Sequence, residues 1–163
     1  MAGHRHVRQS RDDGVWLVRG GFPLRTMNVY LIQEDDGLTM FDGGISDMTS
    51  AVRIAGTVRE GDEIAGFRVL ELSGHAPGVI GLFREEDGLA LVSDCVSTID
   101  LQTGIKGSPR VPHPAFNAHT EQARESIRKL AALRPRVGWA GHADPVAGDD
   151  VAEQLERAAS ALG

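Results

Sequence analysis

Three short segments carry side chains able to bind a metal ion. Each follows a strand-like run and sits beside small, turn-forming residues: Ser73-Gly74-His75-Ala76-Pro77-Gly78, Ser93-Asp94-Cys95 and Ala140-Gly141-His142-Ala143-Asp144-Pro145. A strand end holds a ligand rigidly, while Gly and Pro neighbours let the backbone turn and leave an imidazole or carboxylate projecting into a cleft. Two imidazoles and one carboxylate are a common donor set for zinc or non-haem iron, with other positions open to water. The three residues are too far apart in the chain to form a local motif. The residues alone therefore leave a second reading open, in which each histidine caps a turn and Asp94 accepts backbone N–H groups. Cys95 follows Asp94 directly, but alternation along an extended segment points it away from Asp94, so it reads as a small buried hydrophobe.

The elements that must position these residues are mostly strands. Val15 to Val18, Asn28 to Ile32, Leu38 to Phe41, Ile64 to Leu72, Val79 to Phe83 and Leu89 to Val92 are apolar runs of strand length. Asp36-Gly37 and Glu85-Glu86-Asp87-Gly88 read as hairpin turns. A short helix is expected from Ser46 to Gly56, with Met48, Val52 and Ala55 at helical spacing. Ser97 to Asn117 lacks periodicity and reads as a surface loop. Beyond it, Ala123, Ile127, Leu130 and Ala131 predict a helix, and Val137 to Ala140 predict a strand. A last helix is expected with an Asp150/Glu153 capping box and a buried stripe of Val151, Leu155, Ala158 and Leu162.

With 163 residues, 41% hydrophobic and 25% charged, the composition is that of one globular core. A chain of this size buries roughly 70% of its unfolded surface, so neither a metal nor a disulfide is needed to hold it together. We expect a flexible stretch over 1–13 and a single domain over 14–163. The net charge of −6 and the scatter of the 17 Lys and Arg argue against a nucleic-acid partner. No run approaches the length of a membrane span, and a single cysteine fits a reducing compartment, so the cytoplasm is the expected location.

The order of Asn28-Val29-Tyr30-Leu31-Ile32, Leu38-Thr39-Met40-Phe41-Asp42-Gly43-Gly44, Glu60-Gly61-Asp62-Glu63-Ile64, Arg68-Val69-Leu70-Glu71-Leu72-Ser73-Gly74-His75-Ala76-Pro77-Gly78, Leu91-Val92-Ser93-Asp94 and Gly141-His142-Ala143-Asp144-Pro145-Val146 resembles the metallo-β-lactamase superfamily, in the branch of glyoxalase II-like hydrolases. The resemblance runs from about Gly14 to Leu162. It implies an α+β fold, an αβ/βα sandwich of two mixed sheets flanked by helices. It also implies that His75 binds one metal, that Asp94 bridges two and acts in catalysis, and that His142 binds the second. Asp42 matches an aspartate that supports the site from behind. His113 and His119 fall in a region that family members place near the site's mouth, where they could be recruited as ligands.

One part of the family pattern has no counterpart. Its strand ending in His-x-His-x-Asp-His should follow the first short helix, but here the chain runs from Gly56 directly into Thr57-Val58-Arg59-Glu60-Gly61. The only His-x-His is His4-Arg5-His6, at the far end of the chain. More than half of the usual ligands are thus missing, as though one strand-helix segment had been deleted. A two-metal site, which would activate a hydroxide and polarise a carbonyl together, is not expected. The expectation is at most one ion, zinc or iron, at low occupancy, with weak or absent hydrolase activity. Two other readings stand beside it: a one-metal hydrolase of ester, thioester or lactone substrates completed by a partner chain, and a metal-free interaction domain. The sheet margin left by such a deletion further predicts a homodimer.

Overall fold

A computed structural model describes residues 11–12, 14–20, 27–41 and 57–161. The expected helix at 46–56, Asp42, and the histidines at 4 and 6 lie outside the described residues. The chain divides into two compact units, Met1–Ala55 and Gly56–Gly163.

Among the described residues of the first unit, four strands follow the order β1-β2-β3-β4: β1 (Arg11–Asp12), β2 (Val15–Gly20), β3 (Met27–Gln33) and β4 (Leu38–Phe41). All pairs are antiparallel, as short connections require. The first strand lies inside the stretch read as flexible, because Arg11 and Asp12 pair with Trp16 and Val15. Alternation along β2 and β3 buries Val15, Leu17, Tyr30 and Ile32 on one face. The β3–β4 turn falls where Asp36-Gly37 marks it and closes with a hydrogen bond from Glu34 N to Gly37 O at 3.0 Å.

The second unit carries the candidate site. Its five-stranded sheet has the order β11-β8-β7-β6-β5, with β5 (Glu63–Ile64), β6 (Phe67–Glu71), β7 (Ile80–Arg84), β8 (Leu89–Ser93) and β11 (Val137–Ala140). The strands β6 and β7, linked by residues 72–79, and β7 and β8, linked by a short turn, are antiparallel. By contrast β8 and β11 are parallel, and the long crossover between them contains the helix α1 (Thr120–Ala132). It follows that β6, β8 and β11 all run the same way, and their C-terminal ends share one edge of the sheet.

One face of this sheet packs under α1 and α2 (Val151–Ser160). Leu70, Leu72, Ala90 and Val92 from the strands meet Ile127, Leu130, Leu155 and Ala158 from the helices in one buried cluster. Cys95 lies in the same cluster, 1% exposed, and burial pushes its thiol up to about 12 from an ordinary value near 9.0. This has a pH consequence. Between about pH 9 and 12 the unfolded chain has lost the thiol proton that the native state keeps, so stability falls as pH rises, by about 1.4 kcal/mol per pH unit from this group. We predict that Cys95→Ala shows a shallower loss of stability than wild type across that window in urea melts. Parallel slopes for the two proteins would exclude this account.

The β7–β8 turn is set by Asp87. Its carboxylate accepts from Arg84 Nη2 at 2.8 Å and from Leu89 N at 3.1 Å, which holds its pKa below the usual range. Gly88 supplies the φ of +69° that the turn needs. At the other margin, Gly61 N donates to Val69 O at 2.9 Å and Val69 N to Asp62 O at 2.7 Å, so the segment before β5 lies along β6.

Two local expectations differ from the structure. Ser97–Asn117 contains an antiparallel ribbon, β9 (Ser97–Ile99) with β10 (Lys106–Arg110), and a single 3-10 turn at Pro114–Phe116. The strand β10, Lys106-Gly107-Ser108-Pro109-Arg110, is largely exposed and has no apolar alternation to announce it. At α2, Asp150 occupies the N-cap but makes no side-chain cap bond. Its carboxylate instead accepts from Gln154 Nε2 and Arg157 Nη2, both at 2.9 Å. Among the described residues, no helix is long and apolar enough to cross a membrane.

Candidate metal centre

The like-directed strands β6, β8 and β11 deliver the three candidate ligands to one place. Asp94 follows β8, His142 follows β11 by two residues, and His75 follows β6 by four. The ladder continues past the last paired residues, since Gly141 N donates to Ser93 O at 2.8 Å. Asp94 lies between the imidazoles: its Oδ1 is 3.4 Å from His142 Nε2, and its Oδ2 is 4.0 Å from His75 Nε2. The two histidines are each 24% exposed and Asp94 33%, so the cluster is reachable from solvent.

Each ligand candidate sits next to a backbone turn of unusual shape. Gly74, before His75, has φ +137°; Ser93, before Asp94, has φ +47°; Ala143, after His142, has φ +62°. Non-glycine residues rarely adopt positive φ and persist there only when their surroundings enforce it. The enforcing contacts can be named. The Thr98 hydroxyl, buried on β9, donates to Asp144 O at 2.7 Å and lies 3.2 Å from His142 O, clamping the last turn from inside. Lys106 adds an ion pair with Asp144 at 2.8 Å. On the other side, Gly74 O and His75 O accept from His119 N and Ala118 N, both at 2.9 Å, and Ser73 O accepts from the Ser126 hydroxyl at 2.7 Å.

Asn117 determines which nitrogen of His75 faces the cluster. Its amide nitrogen donates to Pro112 O at 2.8 Å and approaches Thr120 Oγ1 at 3.4 Å, which turns its oxygen toward His75 Nδ1 at 3.2 Å. On this network Nδ1 carries the proton. In a neutral ring Nε2 then presents a lone pair to the Asp94 carboxylate. Two acceptors facing each other across 4.0 Å are the donor arrangement that a cation between them satisfies, and a ring fixed by hydrogen bonding at its far nitrogen is the usual condition of a metal-bound histidine. Nothing in the local sequence marks Asn117 or Thr98 for these tasks.

The donor types fit zinc or iron. Ligands sharing one tetrahedral ion, with bonds of about 2.0–2.1 Å, stand about 3.4 Å apart, which matches the His142 approach and leaves the His75 approach wide. Consistent with that, no group of three or more His, Cys, Asp or Glu is closed around a metal position among the described residues. The trio is open, and an ion would have to draw it together. His113 is exposed, its Nδ1 accepts from Ala115 N at 3.2 Å, and it shares a cavity wall with His75. His119 is exposed at the start of α1 with no side-chain cap bond.

No protein-family model matches the chain. It is 34% identical over 94 residues to the probable metallo-hydrolase YflN of Bacillus subtilis (strain 168), a match covering 55% of this chain and 36% of that protein. The matched region thus spans about a third of the curated relative's length. In structure it is similar to a metallo-β-lactamase from Erythrobacter litoralis, with a TM-score of 0.66 at 16% identity over 94% of this chain and 92% of that one. It is also similar to TTHA1623, a protein crystallised in a di-iron-bound form, with a TM-score of 0.60 at 17% identity over 87% and 97% of the two chains. The fold is the metallo-β-lactamase fold. The partial match to a probable metallo-hydrolase lies in the same fold class.

Proposed function

We propose that the Gly56–Gly163 unit is a metallo-hydrolase-type domain with a partial site that holds at most one divalent ion, zinc or iron, between His75, Asp94 and His142. The observation that supports it most directly is the Asp94 carboxylate flanked by two imidazole Nε2 atoms, one of them on a ring fixed by Asn117. A bound ion would supply Lewis acidity toward an ester-like carbonyl and would acidify water. The chain's own residues have narrower tasks. His75 and His142 present lone pairs, Asp94 contributes negative charge and can accept a proton from water, and Thr98 and Asn117 hold the two histidines in place. The family's His-x-His-x-Asp-His strand, which would supply two ligands to each of two ions, has no counterpart in the sequence. Hydrolysis of esters, thioesters or lactones is therefore weak or absent in this reading.

Metal content tests it. Protein purified without chelators and loaded with zinc or iron(II) should retain no more than one equivalent after desalting, as read by elemental analysis. Two retained equivalents per chain would overturn the one-ion reading, and complete failure to retain either metal would leave a metal-free binding domain.

A further inference from the structure

Next to the candidate metal centre, and sharing His75 with it, is a cavity of about 420 Å³ between the β9–β10 ribbon, the Pro114–Phe116 turn and the start of α1. That volume lies within the range of small-molecule sites. Its apolar wall includes Ile99, Leu101, Val111 and Phe116. Leu101 and Phe116 are 52% and 51% exposed, an arrangement that costs free energy in water and is relieved when an apolar group covers them.

The charges in the same wall are unequal: two guanidiniums, Arg110 and Arg124, against one carboxylate, Asp100. Two of these three are already committed. Asp100 accepts from Gln102 N at 2.9 Å and Thr103 N at 3.1 Å, and these backbone bonds hold its pKa low. Arg124 donates to Ala159 O at 2.8 Å and to Ala161 O, tying α1 to the end of α2. The backbone of Arg110 belongs to the β9–β10 ribbon, but among the described residues its guanidinium makes no hydrogen bond or ion pair and acts on Asp100 through charge alone. An apolar hollow with one uncommitted guanidinium at its wall complements a molecule that is apolar along its length and carries one negative charge.

We infer that this cavity binds an apolar monocarboxylate, an aliphatic chain lying on Leu101 and Phe116 and its carboxylate paired with Arg110. The inference uses the proposed metal site only for the position of His75 in the inner wall. Binding itself requires no ion. If the domain hydrolyses esters, the same cavity holds the acid half of the substrate and retains the released acid as product.

The experiment is a calorimetric titration of the full chain, freed of metal with EDTA, using straight-chain carboxylates from butyrate to octanoate, with 1-octanol as the uncharged control. Working without metal keeps the result separate from the metal-site reading, since either can fail while the other stands. Affinity should rise about fourfold per methylene until the cavity is filled. Octanol should bind at least about tenfold more weakly than octanoate, and Arg110→Gln should reduce octanoate binding by a similar factor without changing octanol. Phe116→Ala should flatten the dependence on chain length, and its side chain is exposed enough that the fold should tolerate the change. Octanoate binding no tighter than octanol, full affinity in Arg110→Gln, or an affinity independent of chain length would each overturn the inference.

Discussion

Replacing Asp94 with alanine should abolish metal binding, lowering zinc affinity by more than about 100-fold in competition with a chromophoric chelator. The magnitude follows from position. Removing a partner that merely orients a ligand typically costs about 10–100-fold, and Asp94 lies between the two imidazoles, within 4.0 Å of one Nε2 and 3.4 Å of the other. Asn117→Ala supplies the internal comparison. It removes the acceptor of His75 Nδ1 and should cost about 10–100-fold, less than Asp94→Ala. Asp94→Ala should keep the wild-type melting profile without metal, because Asp94 is partly exposed, whereas Asn117→Ala also loses the bond to Pro112 O and should melt somewhat lower. Unchanged zinc affinity in Asp94→Ala would place the ion elsewhere. A larger loss in Asn117→Ala than in Asp94→Ala would mean that ring orientation, not donor number, limits binding.

Gly74→Ala should destabilise the Gly56–Gly163 unit by about 3–5 kcal/mol, a large share of a typical domain's 5–15 kcal/mol. A Cβ at Gly74 would lie 2.2 Å from Ala123 N and 2.4 Å from Ala123 Cα, so the backbone of α1 itself would have to move. The φ of +137° adds strain for any side chain. Moving α1 away would also break the bonds from His119 N to Gly74 O and from Ser126 to Ser73 O, which hold the turn that carries His75. Gly78→Ala separates the two causes. Gly78 also needs a positive φ, +75°, but a Cβ there meets nothing within 4 Å. Only the left-handed penalty applies, about 1–2 kcal/mol. Urea unfolding of both variants checks this: equal losses would refute the close approach of α1 to Gly74.

Much of the framework follows from local pattern. The apolar run at Val137–Ala140 coincides with β11, because a short continuous apolar segment leaves the backbone few ways to bury it, and Leu38–Phe41 coincides with β4, where Phe41 is buried while Leu38 and Met40 stay exposed. The stripe of Ala123, Ile127, Leu130 and Ala131 faces the sheet from α1, and Val151, Leu155 and Ala158 do so from α2. Local pattern failed where burial gives no signal. The exposed strand β10 reads as loop, and the Asp150/Glu153 spacing of a capping box gave way to longer-range bonds from Gln154 and Arg157.

The sequence by itself determined the residue types of the candidate centre and their placement after strands, because Gly and Pro beside His75 and His142 mark where a strand must end and turn. Only the tertiary structure decided that the three meet. Their convergence depends on β6, β8 and β11 running in one direction within the order β11-β8-β7-β6-β5, a property of pairings between residues far apart in the chain. The supports were equally non-local: Thr98 reaches His142 and Asp144 across 44 and 46 positions, and Asn117 reaches His75 across 42. A hydroxyl or amide in a connecting loop carries no periodicity and has many possible partners, so its task becomes defined only when packing brings one partner within hydrogen-bonding distance. The apolar cavity has the same origin, because Ile99, Leu101, Val111 and Phe116 belong to a stretch without regular spacing and share a wall only after the ribbon has folded against α2.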